Sequence, residues 1–344
     1  MLQLNHTRIE ALSNAFSGAR IAVVGDLMLD RYTFGSVSRI SPEAPVPVLE
    51  IEIEQTRLGG AANVGHNILG LGATPLMLGV VGDDTSGLIL KSIFTDLGFP
   101  VGGIVTDATR PTTVKTRIIA GSQQMLRMDH EMKREISRAT EDRLLEILEE
   151  HIGSLDGIIL EDYNKGVLPR SVIHRTIELT RKHGVPLLVD PKMQNFFEYR
   201  GATVFKPNRK EVEDALATRL ESDEETIAAG LLLLDRLQAE HVLLTLGEKG
   251  MMLFERVAND GSHGEPSKIP TMAREVADVS GAGDTVIATL AVCMACGMSV
   301  REAAVIANRA AGLVIEELGI VPIYREQLVA ALLEDVEQRA TGNE

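Results

Sequence analysis

The sequence predicts an α/β protein: a doubly wound, mainly parallel sheet flanked by helices, with a small β-sheet lid. Three observations carry this. From about residue 140 the chain alternates helical and apolar extended segments: 141–151, GIILED, 170–183, PLLVD, TVFKPN, 209–216, 223–238 and HVLLTLG. The extended runs are continuously apolar, as strands covered on both faces must be. Aromatic residues make up 3% of the chain and Trp is absent, so the core must consist of Val, Ile, Leu, Ala and Met, which suits a buried parallel sheet.

The elements follow in order. RIAVVGD (20–26) reads as a first buried strand with polar groups at its carboxyl end. SPEAPVPVLEIEI is rich in β-branched residues and proline, which predicts an edge strand. Gly59-Gly60-Ala61-Ala62-Asn63 opens a helix to about Leu71, followed by strand TPLMLGVVG and helix Ser86–Leu97. Thr112–Ala120 reads as an exposed strand with a partner near Gln124–Met128. After residue 240 come strands HVLLTLG and MMLFE, a surface loop at Asn259–Lys268, and helices near 282–297, 300–317 and 324–337. Segments 31–58 and 110–128 break the strand–helix alternation and form the predicted lid; residues 1–344 are read as one domain with that lid inserted.

Composition narrows the function. With 344 residues, 44% of them hydrophobic, the chain can bury a full core. A net charge of −15 argues against a general nucleic-acid binder, so anions must be met at helix N-termini and a few placed cations. No apolar stretch is long enough for a membrane span, and no signal peptide opens the chain, so a soluble cytoplasmic protein is expected. Cys293 and Cys296 form a C-x-x-C pair inside an Ala-rich apolar run with no second ligand pair, and read as buried helix residues rather than a redox or zinc site.

The strongest chemical signal is Asp278-Val279-Ser280-Gly281-Ala282-Gly283-Asp284-Thr285, ahead of an apolar helix. Gly281, Ala282 and Gly283 permit a tight turn whose N–H groups, with the helix dipole, can cradle an anion. Asp284 in the first turn would stand beside that anion, where a carboxylate can deprotonate an attacking hydroxyl. The alternative is a plain glycine-rich turn with Asp as a favourable first-turn residue.

DVSGAGDT closely resembles a signature of the ribokinase-like carbohydrate kinases, and GGAAN (59–63) resembles that family's second signature, about 220 residues upstream. The resemblance runs along nearly the whole chain. It implies transfer of the γ-phosphate of ATP to a sugar hydroxyl, Mg²⁺ as cofactor, a possible monovalent cation such as K⁺, and a lid that often forms a homodimer contact. VVGDLMLDRY, SRISPEAPVPVLE, LGGAANVGHNILGLGA, DPK and YRGATVFKPNRKE together resemble a narrower branch, the heptose 7-phosphate kinases of lipopolysaccharide inner-core synthesis. Many of those are fused to a nucleotidyltransferase with an H-x-G-H motif. The eight histidines here never form it, so a stand-alone kinase is expected, acting on O1 of D-glycero-D-manno-heptose 7-phosphate.

Carried over residue by residue, the resemblance implies a site. Asp284 is the base, with the 281–283 amides around the transferred phosphoryl group. Asp26 and Asp30 accept sugar hydroxyls, unless one of them only caps a turn. Gly59 and Gly60 admit the sugar, and Asn63 binds hydroxyls or merely packs its helix. Asn208 and Glu211 form an N-x-x-E element that organises Mg²⁺ through water, the alternative for Glu211 being a solvated helix face. Thr245, Gly247 and Gly250 form a nucleotide turn, Asn308 lies near the adenine, and Lys192 is a phosphate clamp or a surface lysine. Asp278 is a candidate for the monovalent cation. Lys115, Arg117 and Arg127 in the lid, with Arg39 in the RISPEAP segment, are candidates as a group for the substrate phosphate. No nucleic-acid or membrane partner is expected.

Two other functions remain: a kinase of the same fold for another sugar or sugar phosphate, such as a fructose phosphate, and a non-catalytic sugar-binding regulator. A dinucleotide-binding dehydrogenase is excluded, because GDLMLD stands where G-x-G-x-x-G should follow the first strand.

Overall fold

The computed structural model describes residues 5–121, 123–257, 262–272, 277–317 and 319–340. Helix α1 (His6–Ala15), not anticipated from the sequence, leads into β1 (Arg20–Gly25). Two long strands follow, β2 (Leu27–Ile40) and β3 (Pro47–Gly60), then α2 (Ala61–Gly70), β4 (Thr74–Val81), α3 (Thr85–Asp96) and β5 (Ile104–Thr106). β6 (Thr113–Ala120) and β7 (Gln123–His130) precede α4 (Arg138–His151), β8 (Gly157–Glu161), α5 (Arg170–His183), β9 (Leu187–Asp190), β10 (Val204–Phe205) and α6 (Arg209–Leu216). The rest is α7 (Asp223–Leu237), β11 (His241–Thr245), β12 (Met251–Val257), β13 (Ser262–His263), β14 (Ser267–Ile269), α8 (Ala282–Ala295), α9 (Val300–Val314) and α10 (Arg325–Ala340). The loop expected at 259–268 is thus partly strand; its residues 259–261 lie outside the described residues.

Among the described residues the main sheet has the order β13-β12-β11-β10-β9-β8-β1-β4-β5, with β14 also on β12. From β11 to β5 all neighbours are parallel, and β12 closes one edge antiparallel. Alternate residues of each strand enter different cores. Ile21 and Val23 of β1 pack with α1, α2, α3, α8, α9 and α10. Ala22 and Val24 pack with α4, α5, α6 and α7. Both faces are therefore covered, which is why the strands read as continuous apolar runs.

The second sheet has the order β3-β2-β6-β7, with β2 and β6 parallel and the outer pairs antiparallel. Its base, residues 27–30 and 58–60, is buried, while β7 and the far half of β2 are exposed. β3 is an edge strand, as its prolines predicted. The register puts Arg57, Asp30, Lys115 and Asp129 in one cross-strand row, and Gln55, Tyr32, Arg117 and Arg127 in the next row of the same face. Cys293 is buried and Cys296 half-buried, both as free thiols, and burial pushes Cys296 up to about 11. Among the described residues, no helix is long and apolar enough to cross a membrane.

Candidate active site

Side chains at the carboxyl ends of the parallel strands converge where ligands bind in open α/β sheets. β1 ends at Asp26, β8 at Glu161 and Tyr163, β9 at Asp190 and Lys192, and β10 at Lys206 and Asn208. Helix α8 starts above them. Gly281 is its N-cap with φ +84°, a left-handed conformation glycine adopts freely, and a Cβ there would come within 3.0 Å of Asn63 Nδ2.

Asp284 lies in the first turn of α8 and is 2% exposed. Asn63 Nδ2 donates to its Oδ2 at 2.7 Å, and Tyr163 Oη donates to its Oδ1 at 2.7 Å. Burial raises its pKa to about 6, against the lowering effect of those two hydrogen bonds. The amide of Ala282 turns back to Val279 O at 3.3 Å, so the anion cradle narrows from three successive amides to those of the helix's first turn on either side of it. Lys206 lies directly beneath: its Nζ is 3.4 Å from where a Cβ of Gly283 would sit, and it pairs with Asp190 at 2.7 Å. Burial opposes the Lys206 charge, yet Asp190 and Glu161 hold its pKa above the ordinary lysine value. Glu161, Asp190 and Asp284 bring carboxylate oxygens within 4.8 Å of one another. Glu161 is buried with Oε2 unpartnered, and burial together with Asp190 and Asp284 pushes its pKa well above the usual range.

Several expected sugar contacts have other tasks. Asp26 is 1% exposed, and its carboxylate accepts the backbone N–H groups of Tyr163, Lys165 and Val167 at 2.8, 3.0 and 3.1 Å. It is therefore the anchor of the loop after β8 rather than a free sugar acceptor. Asp30, four residues on, is buried in β2 and ion-paired with Arg117. A Cβ on Gly59 would collide with Asp30 Oδ2, and one on Gly60, whose φ is +55°, would come within 2.7 Å of Asp26 O. Asn63 points its amide at Asp284, so its donor group is engaged with that carboxylate.

Past β10, Asn208 and Glu211 form a reciprocal capping box at the start of α6: Glu211 N donates to Asn208 Oδ1 at 2.9 Å and Asn208 N to Glu211 Oε2 at 2.8 Å. Glu211 Oε1 takes the ion pair with Lys192, and the side chain is buried rather than on a solvated helix face. Thr245 ends β11 and bridges to Asn208, with Gly247 and Gly250 in the turn that follows. Asn308 is buried and donates to Pro270 O at 2.7 Å. Asp278 accepts the amides of Ser280 at 2.9 Å and Gly319 at 3.2 Å, which shapes the turn before Gly281.

Of the lid cations, Arg117 and Lys115 reach the site. Lys115 Nζ lies 5.1 Å from the centroid of the Tyr163 ring and, among the described residues, has no ion-pair partner. Arg127 sits beside Arg117 in the register but is half-exposed and forks onto Asp129. Arg39 lies in the exposed far end of β2, nine residues from Asp30, which is about 30 Å along a strand, and is not brought to the site.

Tyr163, Glu161, Asp190 and Lys206 were not anticipated as site residues. The signals were present: GIILED ends on two acids, and DPK and FKPN put charged residues at the ends of buried strands.

Residues 19–324 match the model of the pfkB family carbohydrate kinases. The bifunctional protein HldE of Pelobacter propionicus is 43% identical over 329 residues, covering 96% of this chain and 66% of that protein. HldE of Granulibacter bethesdensis is 42% identical over 329 residues, 95% of this chain and 68% of that protein. The chain thus spans about two thirds of the length of the curated relatives it matches. Among solved structures, the Arabidopsis thaliana ribokinase complexed with ribose and ATP superposes with a TM-score of 0.72 at 21% identity, over 91% of this chain and 98% of that one. At that identity the likeness is one of fold.

Proposed function

The chain belongs to the pfkB family of carbohydrate kinases, and from that membership we propose that it phosphorylates O1 of D-glycero-D-manno-heptose 7-phosphate with ATP, using Asp284 as the base. Membership makes it a phosphotransferase acting on a sugar hydroxyl. The observation that carries the finer reading is the buried Asp284 carboxylate, fixed by two hydrogen bonds at the mouth of the α8 amide cradle. The heptose assignment is supported by the RISPEAPVPV and DPK segments. A phosphorylated sugar is supported by the cations Lys115 and Arg117 on one face of the lid. The same cations would serve a fructose phosphate, so the sugar is settled by assay.

In this reading the sugar lies between the lid and α8 with O1–H against Asp284. Asp284 takes the proton as O1 attacks the γ-phosphorus in line, and the bond to the leaving ADP oxygen breaks. The first-turn amides of α8 and the Lys206 ammonium beneath them offset charge on the transferred group. Lys192 stands at the nucleotide side. The lid excludes water, which limits ATP hydrolysis. Most of the acceleration comes from positioning and electrostatics.

Magnesium fits the donor set, because buried carboxylates with one unpartnered oxygen suit a hard cation. Glu161 and Asp190 would hold it, and it would supply charge neutralisation at the ATP phosphates. The exposed apolar side chains Ile40, Ile51, Ile53, Leu126 and Met128 on the second sheet support a homodimer through the lid. Free thiols and the use of ATP support a cytoplasmic setting.

The test is ³¹P NMR of the product formed from MgATP and the heptose 7-phosphate. A second, anomeric phosphate signal is expected. A product phosphorylated elsewhere, or no product while a fructose phosphate turns over, contradicts the substrate assignment.

A further inference from the structure

Tyr163 stands where Asp284, Lys115 and Lys192 come together. It sits just past β8, at the start of a loop pinned from three directions. Asp26 accepts the amides of residues 163, 165 and 167. Arg110 holds Lys165 O, and Ile136 N donates to Gly166 O at 3.0 Å from the segment that follows the lid strands. Asn164 has φ +55°, an uncommon conformation for a residue with a side chain, so the loop is held in one specific shape.

That shape aims Tyr163 Oη at Asp284 Oδ1 at 2.7 Å. Two ammonium groups lie over its ring: Lys115 Nζ from lid strand β6 at 5.1 Å from the centroid, and Lys192 Nζ from the end of β9 at 5.3 Å. Both distances are within cation–π range. The lid, the nucleotide side and the base therefore meet on one phenol.

We propose that Tyr163 is a positioning residue for the kinase reaction: its hydroxyl fixes the direction of the Asp284 carboxylate, and its ring seats the lid cation Lys115 and the nucleotide-side cation Lys192 around the reacting groups. This rests on the reading of Asp284 as the base. With Asn63 on Oδ2 and Tyr163 on Oδ1, the carboxylate is held at both oxygens and keeps lone pairs to accept from a substrate hydroxyl. When sugar and ATP bring phosphate charge to Lys115 and Lys192, both lysines already stand at the right depth, because the ring that carries them also carries the base. Closure over the sugar and alignment of the base become one event.

The experiment compares Tyr163→Phe, Tyr163→Ala and Asp284→Asn in the full chain, measuring kcat, KM for each substrate and thermal unfolding. Tyr163→Phe keeps the ring and loses only the hydrogen bond to the base. It should lower kcat about tenfold or more, the value of one hydrogen bond to a charged group, with both KM values within about twofold of the parent. Tyr163→Ala should lower kcat as far and also raise both KM values, since both lysines lose their seat. A purely structural role would move the unfolding midpoint of Tyr163→Phe and leave kcat of the folded fraction unchanged; that result overturns the proposal. So does Tyr163→Phe with kcat within twofold of the parent while Asp284→Asn is inactive, a result that leaves the kinase reading standing. An Asp284→Asn protein as active as the parent instead removes the base itself, and the proposal with it.

Discussion

Asn63 and Asp284 meet through a 2.7 Å hydrogen bond from Nδ2 to Oδ2, although 221 residues separate them. The first turns of α2 and α8 face each other at this point, and Asn67 one turn further along α2 accepts from Thr285 Oγ1 at 3.0 Å. The family's two signature segments are thus two halves of one hydrogen-bonded device.

Asn63→Ala removes a donor from a buried carboxylate. An unsatisfied buried acceptor costs about 1–3 kcal/mol. A lower unfolding midpoint and a reduced kcat are expected together, and chemical denaturation with steady-state kinetics measures both. Unchanged kcat would mean that Asn63 does not orient the base.

Activity should depend on pH through Asp284. The base works deprotonated, and burial raises its pKa to about 6. The kcat/KM profile should therefore be flat above about pH 7 and fall about tenfold per unit well below pH 6. Asn63→Ala takes away a hydrogen bond that lowers this pKa, so its acidic limb should move to higher pH. A limb that stays near pH 4 in both proteins would argue against Asp284.

Gly59→Ala puts a methyl group where Asp30 Oδ2 now lies. The carboxylate must leave Arg117, and the lid base loses its buried ion pair. The expected outcome is a sugar KM raised about tenfold, the value of roughly 1.4 kcal/mol, with the KM for ATP little changed. Isothermal titration with each substrate separates the two effects. Equal loss for both substrates would place the Gly59–Asp30 contact outside sugar binding.

Lys206→Met strands Asp190 beside Glu161 and Asp284. Breaking a buried pair by removing one partner costs about 3–5 kcal/mol. Urea denaturation should show a loss of that order. A Lys206→Met protein as stable as the parent would mean that Asp190 does not depend on Lys206 for its burial.

The fold was legible because a doubly covered parallel sheet leaves continuous apolar strands between amphipathic helices. The misses have physical causes. β2 runs fourteen residues, buried at its start and exposed at its end, so no single period marks it. Asp26 and Asp30 look alike in sequence, two acids four residues apart after a buried strand. Only the register separates them: Asp26 stands at the turn and is consumed by three amides, while Asp30 lies in β2 opposite Arg57 and Lys115. The N-x-x-E element spells a metal-organising pair and a capping box with the same letters, and the geometry here is the capping box with a lysine on its free oxygen. Tyr163 and Lys206 stayed hidden because parallel strand ends bring together residues with no spacing in common.

The most direct test of the account is ADP release from MgATP with heptose 7-phosphate, fructose 6-phosphate and ribose, run for the parent and for Asp284→Asn. The account predicts strong turnover of the heptose phosphate over the other two, and a fall of at least about 100-fold on losing the base. Asp284→Asn turning over the preferred sugar at the parent's rate would contradict it.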